Sequence, residues 1–230
     1  RRSAEIRAAR PELARQARAW LAAGALLWVA LVAIGSPRFR RAAPFGIAWW
    51  PATALMLDWH LGMLETEDGR PRPLGAADAL TLARAWLVPV VLSAPGPAVC
   101  ALGAATDVLD GLAARRAEPT RAGRDLEGLV DACFAVAAIV GLRRAGRIGR
   151  LPARAELLRL GAGAGYAWFG YLARGEAPDP ELIRAARAST AMRAGGLVVA
   201  ATGRRRLGDA LVGAGCLVSL GLLARAVADR

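Results

Sequence analysis

Between Asp107 and Asp131 the chain reads DVLDGLAARRAEPTRAGRDLEGLVD, and this stretch constrains the fold more than any other. It sets four carboxylates among apolar residues: Asp107 and Asp110, then Glu127 and Asp131. The first two are three positions apart and the second two are four apart, so on a helix each pair shares one face. Carboxylates held side by side repel, and near a membrane each also loses hydration. A divalent cation relieves both penalties. Carboxylates from two neighbouring helix ends suit one or two hard cations such as Mg²⁺ or Mn²⁺, whose other positions go to water and substrate phosphate. The competing reading is a solvated helix end paired with Arg115, Arg116, Arg121 and Arg124. For either pair alone that reading is preferred; for both pairs together the choice turns on the pattern of the whole stretch.

The surroundings of the stretch are those of a membrane protein. The 230 residues are 55% hydrophobic, yet 22% are charged and the formal charge is +12. A soluble domain with that much charge normally carries fewer apolar residues. Basic loops between membrane helices account for both, and the length accommodates roughly six to eight helices of about 20 residues each. All of the basic charge is Arg, whose forked donors suit phosphate. Because the Arg residues are interspersed with apolar runs, anionic lipid headgroups are the expected partner and nucleic acid is not. Cys100, Cys133 and Cys216 lack metal spacing and read as small buried hydrophobes. His60, between Trp59 and Leu61, reads as an interfacial or packed residue.

Taken in order, residues 1–18 alternate Arg with Ala and lead into an apolar run over 19–35, with Trp20 near one interface. No small-residue cleavage site precedes Pro37, so the run is expected to stay as a membrane helix with a cytoplasmic amphipathic lead. A second run, 42–57, pairs with it as a helical hairpin, and ETEDGRPRP over 65–73 is then a linker or surface loop and the best boundary in the chain. This divides the protein into residues 1–75 and 76–230.

Beyond the boundary, Ser93 to Pro97 break an uncharged run into two short helices, the second ending with Asp107 and Asp110. Further helices are expected over 126–142, 157–172, 182–202 and 207–227. The fold is therefore all-α: a polytopic membrane helix bundle with six core transmembrane helices plus the N-terminal helical hairpin. The Arg-rich loop between the acidic pairs places them at the cytoplasmic interface. RRAGRIGR after the third core helix and Arg204 to Arg206 oppose simple alternation, which is retained on the agreement of the earlier loops. Arg159, Arg184, Arg187 and Arg193, lone charges within apolar segments, are candidates for a pocket that holds anions. Gly161, Gly163, Gly165, Gly195 and Gly196 suggest close helix packing.

The acidic stretch resembles the signature of the CDP-alcohol phosphatidyltransferase family, D-x2-D-G-x2-A-R, seven or eight residues, then G-x3-D-x3-D. Asp107, Asp110, Gly111, Ala114, Arg115, Gly123 and Asp131 match, and Glu127 stands where the family has its third Asp. Thr81 and Arg84 also sit where the family's first core helix often has Leu-Thr-x-x-Arg, although a snorkelling Arg at a helix end explains Arg84 equally well. The resemblance runs from about Asp78 onward and leaves the N-terminal hairpin outside.

It implies an integral-membrane, multi-pass transferase of phospholipid synthesis, moving a phosphatidyl group from a CDP-linked lipid such as CDP-diacylglycerol to an alcohol acceptor with release of CMP. Asp107, Asp110, Glu127 and Asp131 would hold Mg²⁺ or Mn²⁺, as two ions, and Asp131 would also be the catalytic base. Gly111, Ala114 and Gly123 would leave room for cytidine and diphosphate, and Arg115 would bind phosphate or fix the acids. Membrane lipids are implied partners, and a homodimer is the common assembly of such relatives. Glu127, longer by one methylene, leaves three outcomes: a tolerated ligand, a preference for Mn²⁺, or an impaired site. Asp125 does not substitute, being off the face of Asp131. The alternative is a non-catalytic membrane scaffold or lipid-binding relative with a modified metal site, and an ion transporter is more distant.

Overall fold

The computed structural model describes residues 10–66, 68–116, 120–169 and 180–228, with the side chains at 114–116, 167 and 180–188 outside the description. Among the described residues there are eight α-helices and no extended strand. The helices are α1 (Pro11–Ala33), α2 (Pro37–Trp59), α3 (Ala76–Ser93), α4 (Pro97–Arg116), α5 (Arg121–Arg144), α6 (Arg150–Phe169), α7 (Pro180–Ala201) and α8 (Arg205–Ala228). A single 3₁₀ turn, Leu61–Met63, follows α2. Two N-terminal helices and six core helices are as the apolar runs predict. The fourth core helix starts at Arg150 rather than Leu157, because its first turns are polar and only its later turns carry the apolar signal. The end expected at Leu172 lies outside the described residues.

Local chemistry sets the helix limits. Pro11 and Pro37 open α1 and α2 at positions whose N–H has no intrahelical acceptor. Gly35 and Gly146 take positive φ just past α1 and α5, and the bonds Ser36 N–H to Leu31 O (3.1 Å) and Arg147 N–H to Leu142 O (2.9 Å) close both ends.

The chain forms two compact units, one of residues 1–94 with 102–137 and one of 95–101 with 138–230, so α4 and α5 each contribute to both. In the first unit α1 packs on α2 and α2 on α3. Leu13, Ala17, Leu57, Leu82 and Leu126 are buried in its core. Indole N–H groups fasten the layers: Trp49 donates to Ala85 O (2.8 Å), Trp86 to Gly24 O (2.9 Å) and Trp50 to Leu21 O (2.9 Å). A helical carbonyl keeps a second lone pair after its ladder bond, so these contacts break no turn. Trp28, Phe39 and Trp86 form an aromatic cluster with centroids 5.1–5.6 Å apart. Gln16 makes two bonds to the backbone of Leu74, 3.0 and 3.1 Å long.

In the polar stretch before α3, read as a linker or surface loop, Thr66 N–H reaches Arg70 O (2.8 Å) and Arg72 N–H reaches Leu64 O (2.9 Å). The stretch is tied to the start of α5 by Arg121 N–H to Glu65 O (3.0 Å). His60 is a packed residue at the end of α2, its Nδ1 2.7 Å from Met56 O.

In the second unit α8 packs on α6 and, more extensively, on α7. Glycine makes the α7–α8 approach possible: a Cβ on Gly208 would lie 2.7 Å from Ala200 Cβ, and one on Gly196 would lie 2.9 Å from Val212. Of the five glycines expected to pack closely, Gly196 does so among the described residues, while Gly161, Gly163, Gly165 and Gly195 have no described neighbour within 4 Å of where a Cβ would stand. Helical periodicity does not reveal which face a glycine is on until the partner helix is known.

Three described helices, α1, α3 and α8, are long and apolar enough to cross a membrane by length and composition. Large apolar side chains along α1 and α8 point outward, Leu26 at 69% and Leu217 at 74% exposure among them. Such surfaces are stable against lipid and costly against water.

Candidate active site

The first unit brings three of the four acids of the motif together. Asp107 and Asp110 lie on α4, and Asp131 lies on α5. Between them is Arg84 of α3, whose side chain is only 2% exposed. Its Nη1 is 3.6 Å from Asp107 Oδ1 and in direct contact with Asp131 Oδ1, and its Nη2 is 3.5 Å from Asp110 Oδ2. Arg84 Nε donates to Thr106 Oγ1 (3.2 Å), and Thr106 in turn donates to Gly103 O (2.9 Å). Arg84 does not snorkel, and it is this buried residue that supplies the acids with a cation. Of the arginines in the solvated-end alternative, Arg121 pairs with Glu65 (3.4 Å), and Arg115 and Arg116 have side chains outside the description.

One turn before Arg84 on α3, Thr81 donates to Asp110 Oδ2 at 2.7 Å. One turn earlier again is Asp78, buried, with one oxygen accepting Gly75 N–H (2.7 Å) and the other 3.5 Å from the Thr120 hydroxyl. Thr120 caps α5 by accepting Gly123 N–H at 2.9 Å. A Cβ on Gly123 would strike Asp78 Oδ1 and stand 2.9 Å from Thr120 Oγ1, so its lack of a side chain serves the junction of α3 with α5. Gly111 is half-buried on α4. Ala114 and Arg115 continue α4 as backbone, their side chains outside the description. Glu127, one turn before Asp131, is half-buried and engaged in an interaction of its own.

The donor chemistry suits a hard divalent cation. All donors are carboxylate oxygens, three of them share one guanidinium, and Asp107 and Asp131 keep 38% and 39% of their side chains open. The arrangement is nevertheless closed on Arg84, and among the described residues no three acids, histidines or cysteines are grouped as a metal cage.

A second ionic cluster occupies the other unit. Glu156 of α6, buried, accepts from Arg159 (2.8 and 2.9 Å), from Arg193 of α7 (2.7 Å) and from the Cys216 thiol of α8 (3.0 Å). Arg193 also reaches Thr190 Oγ1 at 2.8 Å. Two of the four lone arginines are thus neutralised in part by a Glu that sequence reading passed over. Arg184 and Arg187 have side chains outside the description. The signal available was the Glu–Arg spacing of three on one helix. Thr106 and Asp78 were missed likewise, and for Asp78 a carboxylate three residues after Gly75 at a helix start was the clue.

The fold and these contacts define a class: a membrane-embedded, all-α protein with a cluster of acids held between three helices of one unit. Residues 74–220 match the family model for CDP-alcohol phosphatidyltransferase, and the chain belongs to that family. No curated protein and no solved structure matches the chain. It is accordingly an integral-membrane protein of a transferase family whose members move a phosphatidyl group from a CDP-alcohol to an alcohol acceptor.

Proposed function

We propose that the protein transfers the phosphatidyl group of a CDP-linked lipid such as CDP-diacylglycerol to an alcohol and releases CMP. The observation that carries this is the convergence of Asp107, Asp110 and Asp131 from α4 and α5 on one point beside α3. Asp107, Asp110, Glu127 and Asp131 would hold Mg²⁺ or Mn²⁺, which when bound supplies charge neutralisation at the diphosphate and at departing CMP. The protein's own part is positional and acid–base. Asp131, open on one side, takes the proton of the acceptor hydroxyl as its oxygen attacks phosphorus and the bond from phosphorus to the CMP oxygen breaks. Thr81 holds Asp110 still throughout. Arg115 is assigned to phosphate, and Gly111, Ala114 and Gly123 to the nucleotide side of the site.

Residues 76–230 form the catalytic domain in this proposal and 1–75 an N-terminal basic segment and hairpin. The arginines at the end of α4 and the start of α5 support a cytoplasmic face for the site. The closure of the cluster on Arg84, with Glu127 at a motif position, favours a second reading as a non-catalytic lipid-binding relative.

The test is CMP release from CDP-diacylglycerol by protein in detergent, with Mg²⁺ or Mn²⁺ and a panel of alcohols. Metal-dependent release with one acceptor, reduced at least about a hundredfold by Asp131→Asn, is the expected result. Binding of the CDP-lipid without release by any acceptor would decide for the second reading.

A further inference from the structure

Arg84 is bound in an uneven way. Its contacts with Asp107 and Asp110 are 3.6 and 3.5 Å, longer than the roughly 2.7–2.9 Å of a charge-assisted hydrogen bond. It therefore balances their charge without satisfying their oxygens. The short bond to Asp110 comes from Thr81 at 2.7 Å, and the remaining faces of Asp107 and Asp131 are open. Three carboxylates gathered at one point repel one another, and Arg84 supplies the counter-charge among them at the junction of α3, α4 and α5. A second cation entering there meets the first.

We propose that Arg84 is a resident counter-ion, a placeholder that a divalent metal displaces from the carboxylate cluster. The inference rests on the assignment of Asp107, Asp110, Glu127 and Asp131 as metal ligands. With the metal absent, the guanidinium keeps the three helices together. When the metal enters, the guanidinium gives up Asp107 and Asp131, while Thr81 keeps Asp110 in place. Part of the metal's binding free energy is spent on this displacement, so affinity is lower than the donors alone would give. The guanidinium keeps Thr106 and Asp110, and its freed Nη1 then faces an anion such as a substrate diphosphate.

The experiment is Mn²⁺ titration of the full chain in detergent, following the free-ion electron paramagnetic resonance signal. Wild type is compared with Arg84→Met, Arg84→Lys, Thr106→Val and Asp131→Asn. Removing one elementary charge at this range is expected to tighten Mn²⁺ binding about tenfold or more in Arg84→Met, with Arg84→Lys staying near wild type. Thr106→Val, an isosteric change that removes the acceptor of Arg84 Nε and the donor to Gly103 O, is expected to tighten it about threefold, and this holds the test open if Arg84→Met fails to fold. Thermal unfolding gives a second readout: Mn²⁺ should raise the melting temperature of Arg84→Met by more than that of wild type.

Equal or weaker Mn²⁺ binding in both Arg84→Met and Thr106→Val, with wild type binding and Asp131→Asn not, would overturn the placeholder and leave the metal assignment standing. No Mn²⁺ binding by any form would overturn the assignment and the placeholder together.

Discussion

Glu127 is the residue at which the site departs from its family pattern, and it lies a turn from Asp131 on α5. Its extra methylene matters most to Mg²⁺, which demands near-octahedral order. Glu127→Asp is therefore expected to raise the ratio of Mg²⁺-supported to Mn²⁺-supported CMP release about tenfold or less, read from initial rates at saturating metal. An unchanged ratio would remove Glu127 from the metal's coordination. The grouping of Asp107, Asp110 and Asp131 was legible because a carboxylate in an apolar helix has few uses, and Glu127 is not gathered with them. Arg84 was not, since a buried arginine and a snorkelling one look alike in sequence and differ only in what the neighbouring helices present to them. Glu156 was hidden for the opposite reason: it precedes the apolar stretch by which α6 was recognised.

Among the elements, α3 carries most of the organisation, with Asp78, Thr81 and Arg84 on successive turns addressing α4 and α5. The helices were readable as apolar runs, and the break at Ser93 to Pro97 separated α3 from α4 as expected. Their faces were not readable, because glycines crowd α6 without packing while Gly208 and Gly215 do the close work on α8. Gly208→Val should accordingly separate α7 from α8 and lower stability by about 1–3 kcal/mol, measured as loss of melting temperature in detergent. Gly161→Ala, facing open space, should leave it unchanged or slightly raised. The docking of the hairpin was also beyond sequence, since nothing in Gln16 announces Leu74. Gln16→Leu leaves both backbone groups of Leu74 without those partners, and a loss of about 1–3 kcal/mol is expected by the same measurement.

For the molecule as a whole, the proposed cytoplasmic orientation is open to a direct test. Arg124 is exposed near the start of α5, and of the native thiols Cys100 and Cys216 are buried. In a Cys133→Ser background, Arg124→Cys should react with a membrane-impermeant maleimide in inside-out vesicles and resist it in right-side-out ones. The reverse pattern would put the proposed site on the far side of the membrane. Membrane character and family were legible at this scale from apolar content and one motif. The division into compact units was not, because it cuts α4 and α5 within their lengths.

The bond between Gln16 and Leu74 joins residues 58 positions apart. A ribosome adding about 5–20 residues per second reaches the partner roughly 3–12 s after Gln16. Throughout that interval the side-chain amide has no Leu74 to bind, and the indole of Trp49, made later, waits in the same way for Ala85 of α3. The hairpin is made first as an unfinished dock, and the arrival of α3 both completes it and delivers Arg84 to the place where the acids of α4 will be synthesised next.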